Sequence, residues 1–549
     1  MENMKMQKAM ETIITSQKIK QLSCVIALIL GNIAISYAAV VPSGTKLAAK
    51  QELVRNNGSE PASLDTHKVS SNVEFNIISD FFDGLVSVNK QGKVEPRLAE
   101  RWETSDNKTW IFHLKKGIKW SDGSPITAHD VVFSWRRLTE PDTVSPYGSY
   151  FENAAIVNAS DVLTGKKKPE ELGVKALDDF TLEIKLDKPV GDFLQMLGHP
   201  VTFPISEKAV NKYGDRWTRV GSFVGSGAYK LSEWVVNEKL VGVRNPQYWD
   251  DKNTVINKVT YLPLSSEKAD LNRYLAGEID ITFTISVEDF PSLKKSLPDE
   301  VKISPKSTVY FYEFNTKKPP FDDVRVRKAL SLAIDRDIIV DKILGQGQLP
   351  AYSMLTPNIG GFDFEQPDYA SWTQEQRVAK AKVLLNEAGF NKNNPLKFDL
   401  LYNTQEGHKK MAIAVSSMWK KNLGVNAALQ NQEWKVVLDN MHQGKFDVIR
   451  RAWVADYDSP MTFLTLFASK QVNNTSQYEN KEFDEFFEKA GVIGSKDYYQ
   501  KASDILTKDL PSIPVYYYVN HNMVKPYVGG FDINARGEYF TKDLYIIEH

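Results

Sequence analysis

Two arginines, a tryptophan and an aspartate crowd into seven residues of the stretch 446–457, FDVIRRAWVADY. Its opening, Phe446-Asp447-Val448-Ile449, has the make-up of a buried strand. Side chains alternate faces in an extended chain, so Arg450, Ala452, Val454 and Asp456 share one side. Arg450 and Asp456 then stand roughly 20 Å apart at about 3.3 Å per residue. With both side chains leaning inward, the gap matches about three or four extended residues. A cation at one end and a carboxylate at the other suit a zwitterion such as a short peptide. Between them, exposed strand N–H and C=O groups can take up a peptide backbone by strand addition, whatever its side chains. The same stretch also fits a plainer reading, a strand whose charges are solvated or paired with each other.

Other chemistry-bearing residues are sparse. His408 follows the strand-like Leu401-Tyr402-Asn403 and precedes an apolar helical run over 411–419, which sets it in a βα loop, where α/β proteins place ligand contacts. The eight histidines are scattered, and no pair has the spacing of a helical metal site. The chain carries no H-E-x-x-H, G-x-S-x-G, P-loop or dinucleotide fingerprint. We therefore expect no enzyme, no cofactor and no metal.

The elements that must hold these groups read as α/β. Glu52-Leu53-Val54-Arg55 forms a strand before the turn-rich Asn56-Asn57-Gly58-Ser59. Residues 75–90 read as a helix running into Gly84 and a short strand. Trp110, Phe112 and Leu114 alternate as in a half-buried strand. After a turn at Ser121-Asp122-Gly123, Thr127 caps a helix with Asp130 as the acidic half of a capping box. Pro320-Phe321-Asp322-Asp323 stops an extended segment and caps a helix whose Val324, Ala329, Leu332 and Ala333 are apolar; its Arg325 and Arg327 are expected at the surface or in salt bridges.

The 549 residues are 42% apolar and 25% charged, an ordinary globular balance long enough for three domains. A formal charge of −1 points to neither nucleic acid nor an anionic membrane. Lys5, Lys8, Lys18 and Lys20 precede an apolar run over 22–35 that ends Ser36-Tyr37-Ala38, the pattern of a secretory signal peptide cleaved between Ala38 and Ala39. The run is short for a membrane span. Cys24 is the only cysteine, so the processed chain has no disulfide and no thiolate site. Losing four Lys and two Glu from 68 basic and 69 acidic residues leaves 64 and 67, a slightly acidic exported protein.

The block over 114–131, LKKGIKWSDGSPITAHDV, resembles the signature of the peptide-binding family of extracytoplasmic receptors that serve ABC importers. Further matches follow in order: GSGAY (225–229), NPQYW (245–249), RYLAGEID (273–280), PFDDVRVRKAL (320–330) and VYYY (515–518). Within the family, VRNNGSE (54–60), LYNTQEGHKK (401–410), MWKKNLGV (418–425) and NQEWK (431–435) are similar to its oligopeptide and murein-tripeptide branches. VIRRAWV and TFLTL (462–466) lean toward the murein branch, and VRNNGSE toward the oligopeptide branch.

The resemblance implies a two-lobed, type II α/β binding protein with an additional small domain. Mapped here, residues 1–38 are the signal peptide, 39–82, 207–307 and 524–549 form domain I, 83–206 domain II, and 308–523 domain III, with the hinge at the crossings near 307 and 523. It implies that Asp456 pairs with the peptide's α-amino group, that Arg450 pairs with its carboxylate, and that His408 assists or serves longer peptides. Trp453, Val454 and Ala455 line the backbone track; Trp434 and Tyr147 line side-chain pockets. Three departures from the family pattern involve four positions. Met441 and Ser70 replace a second arginine and a glutamate, and Thr308 and Val454 replace a cysteine pair. The expected function is a monomeric periplasmic receptor of a Gram-negative bacterium, taking peptides of about two to five residues to an inner-membrane ABC permease. The alternatives are a receptor specific for murein tripeptide and, more remotely, a haem or nickel receptor on the same fold.

Overall fold

The computed structural model describes residue 39 and residues 41–89, 92–469, 471 and 473–549; the expected signal peptide lies outside them. Three sheets organise the chain from Ala39 onward. The first joins β1 (Glu52–Asn56), β8 (Tyr229–Val235), β9 (Lys239–Arg244) and β10 (Lys258–Leu262) in the order β1-β10-β9-β8. The second is antiparallel, with β4 (Ala99–Thr104), β5 (Thr109–Leu114), β6 (Val174–Asp178) and β7 (Thr181–Lys185) in the order β4-β5-β7-β6. Short hairpins pair β2 (Val86–Val88) with β3 (Val94–Pro96) and β17 (Val528–Gly529) with β18 (Tyr545–Ile546).

The third sheet positions the candidate site. It holds β11 (Val301–Phe314), β12 (Leu349–Pro350), β13 (Lys397–Asn403), β14 (Asn426–Gln432), β15 (Val448–Val454) and β16 (Ser512–Met523) in the order β12-β16-β11-β15-β13-β14. The helix Glu406–Leu423 carries the chain from β13 to the parallel β14, and the helix Trp434–His442 returns it to β15 on the other side of β13. After β13 and after β15 the chain therefore leaves in different directions, which opens a crevice at the carboxyl ends of these two strands. The long strands β11 and β16 pair from Val301↔Met523 to Glu313↔Ser512, with register shifts along the way.

Local chemistry explains why these elements form. In β5, Trp110, Phe112 and Leu114 alternate into the core. Thr127 and Asp130 make the expected capping box, Thr127 N donating to Asp130 Oδ2 at 2.9 Å. The helix foreseen over 75–90 spans Asn72–Phe81 and buries Phe75, Ile77, Ile78 and Phe81. Asp323 caps the helix Val324–Leu332 and pairs with the exposed Arg325. Arg327 differs from expectation: it is buried and donates to the carbonyls of Phe321, Asp509 and Leu510. Asp509 and Leu510 lie about 180 residues away in sequence, which no local pattern encodes. No helix among the described residues is long and apolar enough to cross a membrane.

Candidate functional site

The two neighbouring arginines of β15 meet opposite fates. Arg451 is buried and forms an ion pair with Glu313 at 2.6 Å, while its Nη1 also donates to Thr475. Neither solvated nor paired within its own stretch, this arginine is neutralised from the neighbouring strand β11. Arg450, on the opposite face, donates to Asn403 Oδ1 at 3.3 Å and to the Tyr518 hydroxyl at 3.1 Å. Its guanidinium lies 4.7 Å from the Tyr310 ring centroid, and its Nε has no hydrogen-bond partner. Among the described residues no carboxylate pairs with it. A guanidinium only 9% exposed and met solely by neutral groups is a site for an incoming anion.

His408 stands near this end. It lies in the first turn of the helix Glu406–Leu423, with its ring 6.0 Å from that of Tyr310. Burial, helped by the nearby charge of Arg450, pulls its pKa down to about 3. It is a neutral hydrogen-bonding group at physiological pH. Tyr310 is clamped in turn by Tyr516, stacked at 4.8 Å.

Strand β15 runs out of the core toward the other end. Its first four residues are buried, Ala452 and Trp453 are half-buried, and Val454 is exposed. On one edge it pairs with β11, from Phe314↔Val448 to Thr308↔Val454, and Ala455 N extends that side by donating to Ser307 O at 2.9 Å. In an antiparallel ladder alternate residues turn their backbone groups to opposite edges, so Ala452 and Val454 direct theirs away from β11. On that other edge β13 pairs only with Val448 and Ile449 and ends at Asn403. Among the described residues, the backbone between Arg450 and Asp456 thus presents an edge with no partner strand. Trp453 is fixed beside it by an Nε1–H bond to Thr462 Oγ1 at 3.2 Å.

Asp456 lies in the bend just past β15. Its backbone is pinned, its N–H donating to Thr462 Oγ1 and its carbonyl accepting from Arg536 Nη1, both at 3.2 Å. Its carboxylate has neither an ion pair nor a hydrogen bond among the described residues. Burial raises its pKa to about 6, against the opposing pull of Arg536. The neighbouring wall is aromatic. Tyr147 packs on Phe75 at 5.9 Å and on His199 at 4.9 Å, and Tyr147 and Tyr150 both feel the Asp456 charge. A desolvated carboxylate facing aromatic rings is a place for an ammonium group.

Eight positions were singled out from sequence. Arg450, His408, Trp453, Val454, Ala455, Asp456 and Tyr147 fall along this one path. Trp434 opens the helix Trp434–His442, and its side chain lies outside the described residues. Met441 packs with Leu401, Val437, Phe446 and Ile449, so an apolar side chain occupies that position. Thr308 and Val454 are direct cross-strand partners. Sequence reasoning missed Arg536, Tyr310 and Asn403, which join the path only through tertiary contacts; the alternate tyrosines Tyr516 and Tyr518 are the one signal that pointed to this face.

Two further contacts link segments distant in sequence. Gly191 N donates to Gly491 O at 2.9 Å, and Ser459 Oγ donates to Asp192 Oδ2 at 2.6 Å. They join residues of the second sheet's segment to residues of the third.

Comparison with known proteins is consistent along the whole length. Residues 93–475 match the middle region of the bacterial extracellular solute-binding proteins, family 5. The chain is 51% identical over 518 residues to the periplasmic oligopeptide-binding protein OppA of Salmonella typhimurium, covering 93% of this chain and 95% of that protein. It is 45% identical over 528 residues to the periplasmic murein peptide-binding protein MppA of Escherichia coli, with 95% and 98% covered. The crystal structure of Haemophilus influenzae OppA in complex with RPPGFSPFR superposes with a TM-score of 0.78 at 45% identity, covering 92% of this chain and all of that one.

Proposed function

The chain belongs to family 5 of the bacterial extracellular solute-binding proteins, and from that premise we propose that it is the periplasmic receptor of an ABC peptide importer, capturing peptides of about two to five residues. The observation that carries this reading is the geometry of β15 among the described residues: a guanidinium with no carboxylate partner at one end, a carboxylate with no ion pair just past the other, and a strand edge without a partner strand between them. Asp456 takes the peptide amine, and Arg450, assisted by His408, takes the carboxylate. Trp453, Val454 and Ala455 supply backbone bonds that ignore side-chain identity. The fold is the two-lobed type II architecture of the relatives named above.

The domain assignment is 39–82, 207–307 and 524–549 for domain I, 83–206 for domain II and 308–523 for domain III. The paired strands β11 and β16 carry the crossings, and the Gly191–Gly491 and Asp192–Ser459 contacts close the mouth. Closing excludes water from the two charged ends and strengthens both ion pairs. Ligand binding is read by an inner-membrane permease as the closed state of a monomer, with no catalytic step. Export through a signal peptide cleaved after Ala38 places the receptor in the periplasm.

A second reading, a receptor specific for murein tripeptide, is favoured by the sequence of β15 and by the TFLTL that follows it. One experiment tests both. The mature protein is purified from the periplasm, its bound species are identified by mass spectrometry, and Ala-Ala-Ala is titrated calorimetrically beside its N-acetyl and C-amide forms. Mixed short peptides, with both blocked forms weakened, support the general receptor. A single diaminopimelate-containing species assigns it to cell-wall peptides. Equal binding of free and blocked forms overturns the assignment of Asp456 and Arg450.

A further inference from the structure

A cavity of about 130 Å³ lies where the β11–β16 ribbon meets the helix Asn72–Phe81 and the C-terminal segment. Three cations line it: Arg55, Arg536 and Lys306. Arg55 stands 3.9 Å from Asp80, and Arg536 is bound to Glu538 at 2.6 Å. Lys306 has no such partner: among the described residues no carboxylate pairs with it, and none lines the cavity. Burial alone lowers its pKa, with no neighbouring acid to offset that pull. His521, held neutral by burial at about 4, and the amides of Asn72, Asn76 and Asn520 complete a wall of hydrogen-bonding groups around one uncompensated positive charge.

The cavity adjoins the amine end of the cleft. Arg536 forms part of its wall and also binds the Asp456 carbonyl. Lys306 is followed by Ser307, whose carbonyl accepts from Ala455 and whose N–H donates to Ala535. At the position where the second arginine of the resembling branches would stand, Met441 is packed into apolar core and offers no charge.

We propose that this cavity is an anion subsite of the peptide cleft, in which Lys306 receives a carboxylate carried by one of the ligand's first two residues. The receptor then favours ligands that are acidic near the amino end. This rests on the peptide-receptor reading and deepens it.

The test is calorimetric titration of Ala-Ala-Ala and of tripeptides carrying Asp or Lys at position one, two or three, against the wild-type protein, K306M and K306R. At position one or two, the aspartyl peptide should bind the wild-type protein about tenfold or more tighter than its lysyl counterpart. That ratio should collapse to within about threefold in K306M and survive in K306R. Substitution at position three should give ratios that K306M leaves unchanged. An Asp-to-Lys ratio that is the same in wild type and K306M at positions one and two overturns the subsite while leaving the receptor reading intact. Failure of the wild-type protein to bind Ala-Ala-Ala at all overturns both.

Discussion

With Asp456 as the partner of the peptide amine, as proposed above, affinity depends on pH in a calculable way. In the empty cleft its carboxyl is held at about 6 because it is buried. An ammonium pairs only with the ionised form, so binding must expel the proton from whatever fraction is neutral. With a pKa of about 6, roughly nine in ten carboxyls are ionised at pH 7 and roughly one in eleven at pH 5. Affinity for Ala-Ala-Ala should therefore fall about tenfold, or ~1.4 kcal/mol, between those values. Tyr147 and Tyr150, raised by burial, and His199, lowered to about 3, do not titrate in this window; the nearby Asp458 carboxyl is also raised by burial, and comparison with D456N separates its contribution. His408, at about 3, is neutral throughout at the other end. Asp192 is also raised by burial to about 6 and titrates in the same window, while the hydrogen bond it accepts from Ser459 favours its ionised form. The titration is accordingly run in wild type and in D192N, in two buffers of different ionisation enthalpy, so that proton release is measured directly. D456N should bind ~3–5 kcal/mol more weakly with no slope between pH 5 and 7. The same raised pKa makes the ionised carboxylate a liability in the empty protein above pH 6, relieved as pH falls toward 4. The shift from 3.8 to about 6 caps that cost at ~3 kcal/mol, less what residual solvent contact recovers. Empty D456N should melt above wild type at pH 7.5. Affinity constant within twofold from pH 7 to 5, or an equal slope in D456N, would refute the reasoning.

Arg450→Met should cost ~2–5 kcal/mol for a free-acid tripeptide and little for its C-amide, because the lost partner is the ligand carboxylate; a similar loss for both forms counts against that role. Gly191→Val puts a Cβ 2.9 Å from Gly494 N, so the mouth should stay ajar. Its signature is at least about tenfold weaker binding and a larger scattering radius with saturating ligand, at an unchanged melting temperature of the empty protein; unaltered affinity would remove the closing role. Thr308→Cys with Val454→Cys, cross-strand partners in the ladder, should oxidise spontaneously to a disulfide. That bond should add ~2–4 kcal/mol of stability, and two persistent free thiols would contradict the register.

The sequence announced the ends of the path but not its walls. Arg450 and Asp456 were legible because alternation along one strand sets both position and facing, and Thr127 with Asp130 because a capping box is local. Strand β15 stops at Val454, two residues short of the extended reach read from sequence, yet Asp456 remains in the cleft because Thr462 and Arg536 hold its backbone. Arg327 and Arg450 look alike as isolated residues. One donates to distant carbonyls and the other meets no carboxylate among the described residues, a difference decided by what 180 or 70 residues of intervening chain bring alongside. Arg536 and Lys306 belong to the same class: their roles exist only once the C-terminal segment docks against β11.

The ion pair of Arg451 with Glu313 has a further meaning for folding fidelity. A slip of one residue in the pairing of β15 with β11 would send every side chain of β15 to the opposite face. Arg450 and Arg451 would then exchange faces, so Glu313, fully buried, would still meet a guanidinium, that of Arg450 in place of Arg451. The slip is penalised instead at positions with no such twin: Trp453 would swing away from Thr462 Oγ1, and Ile449 would leave the cluster it forms with Leu401, Val437, Met441 and Phe446. The arginine doublet thus tolerates the misregistered ladder electrostatically, and the residues on either side of it set the register.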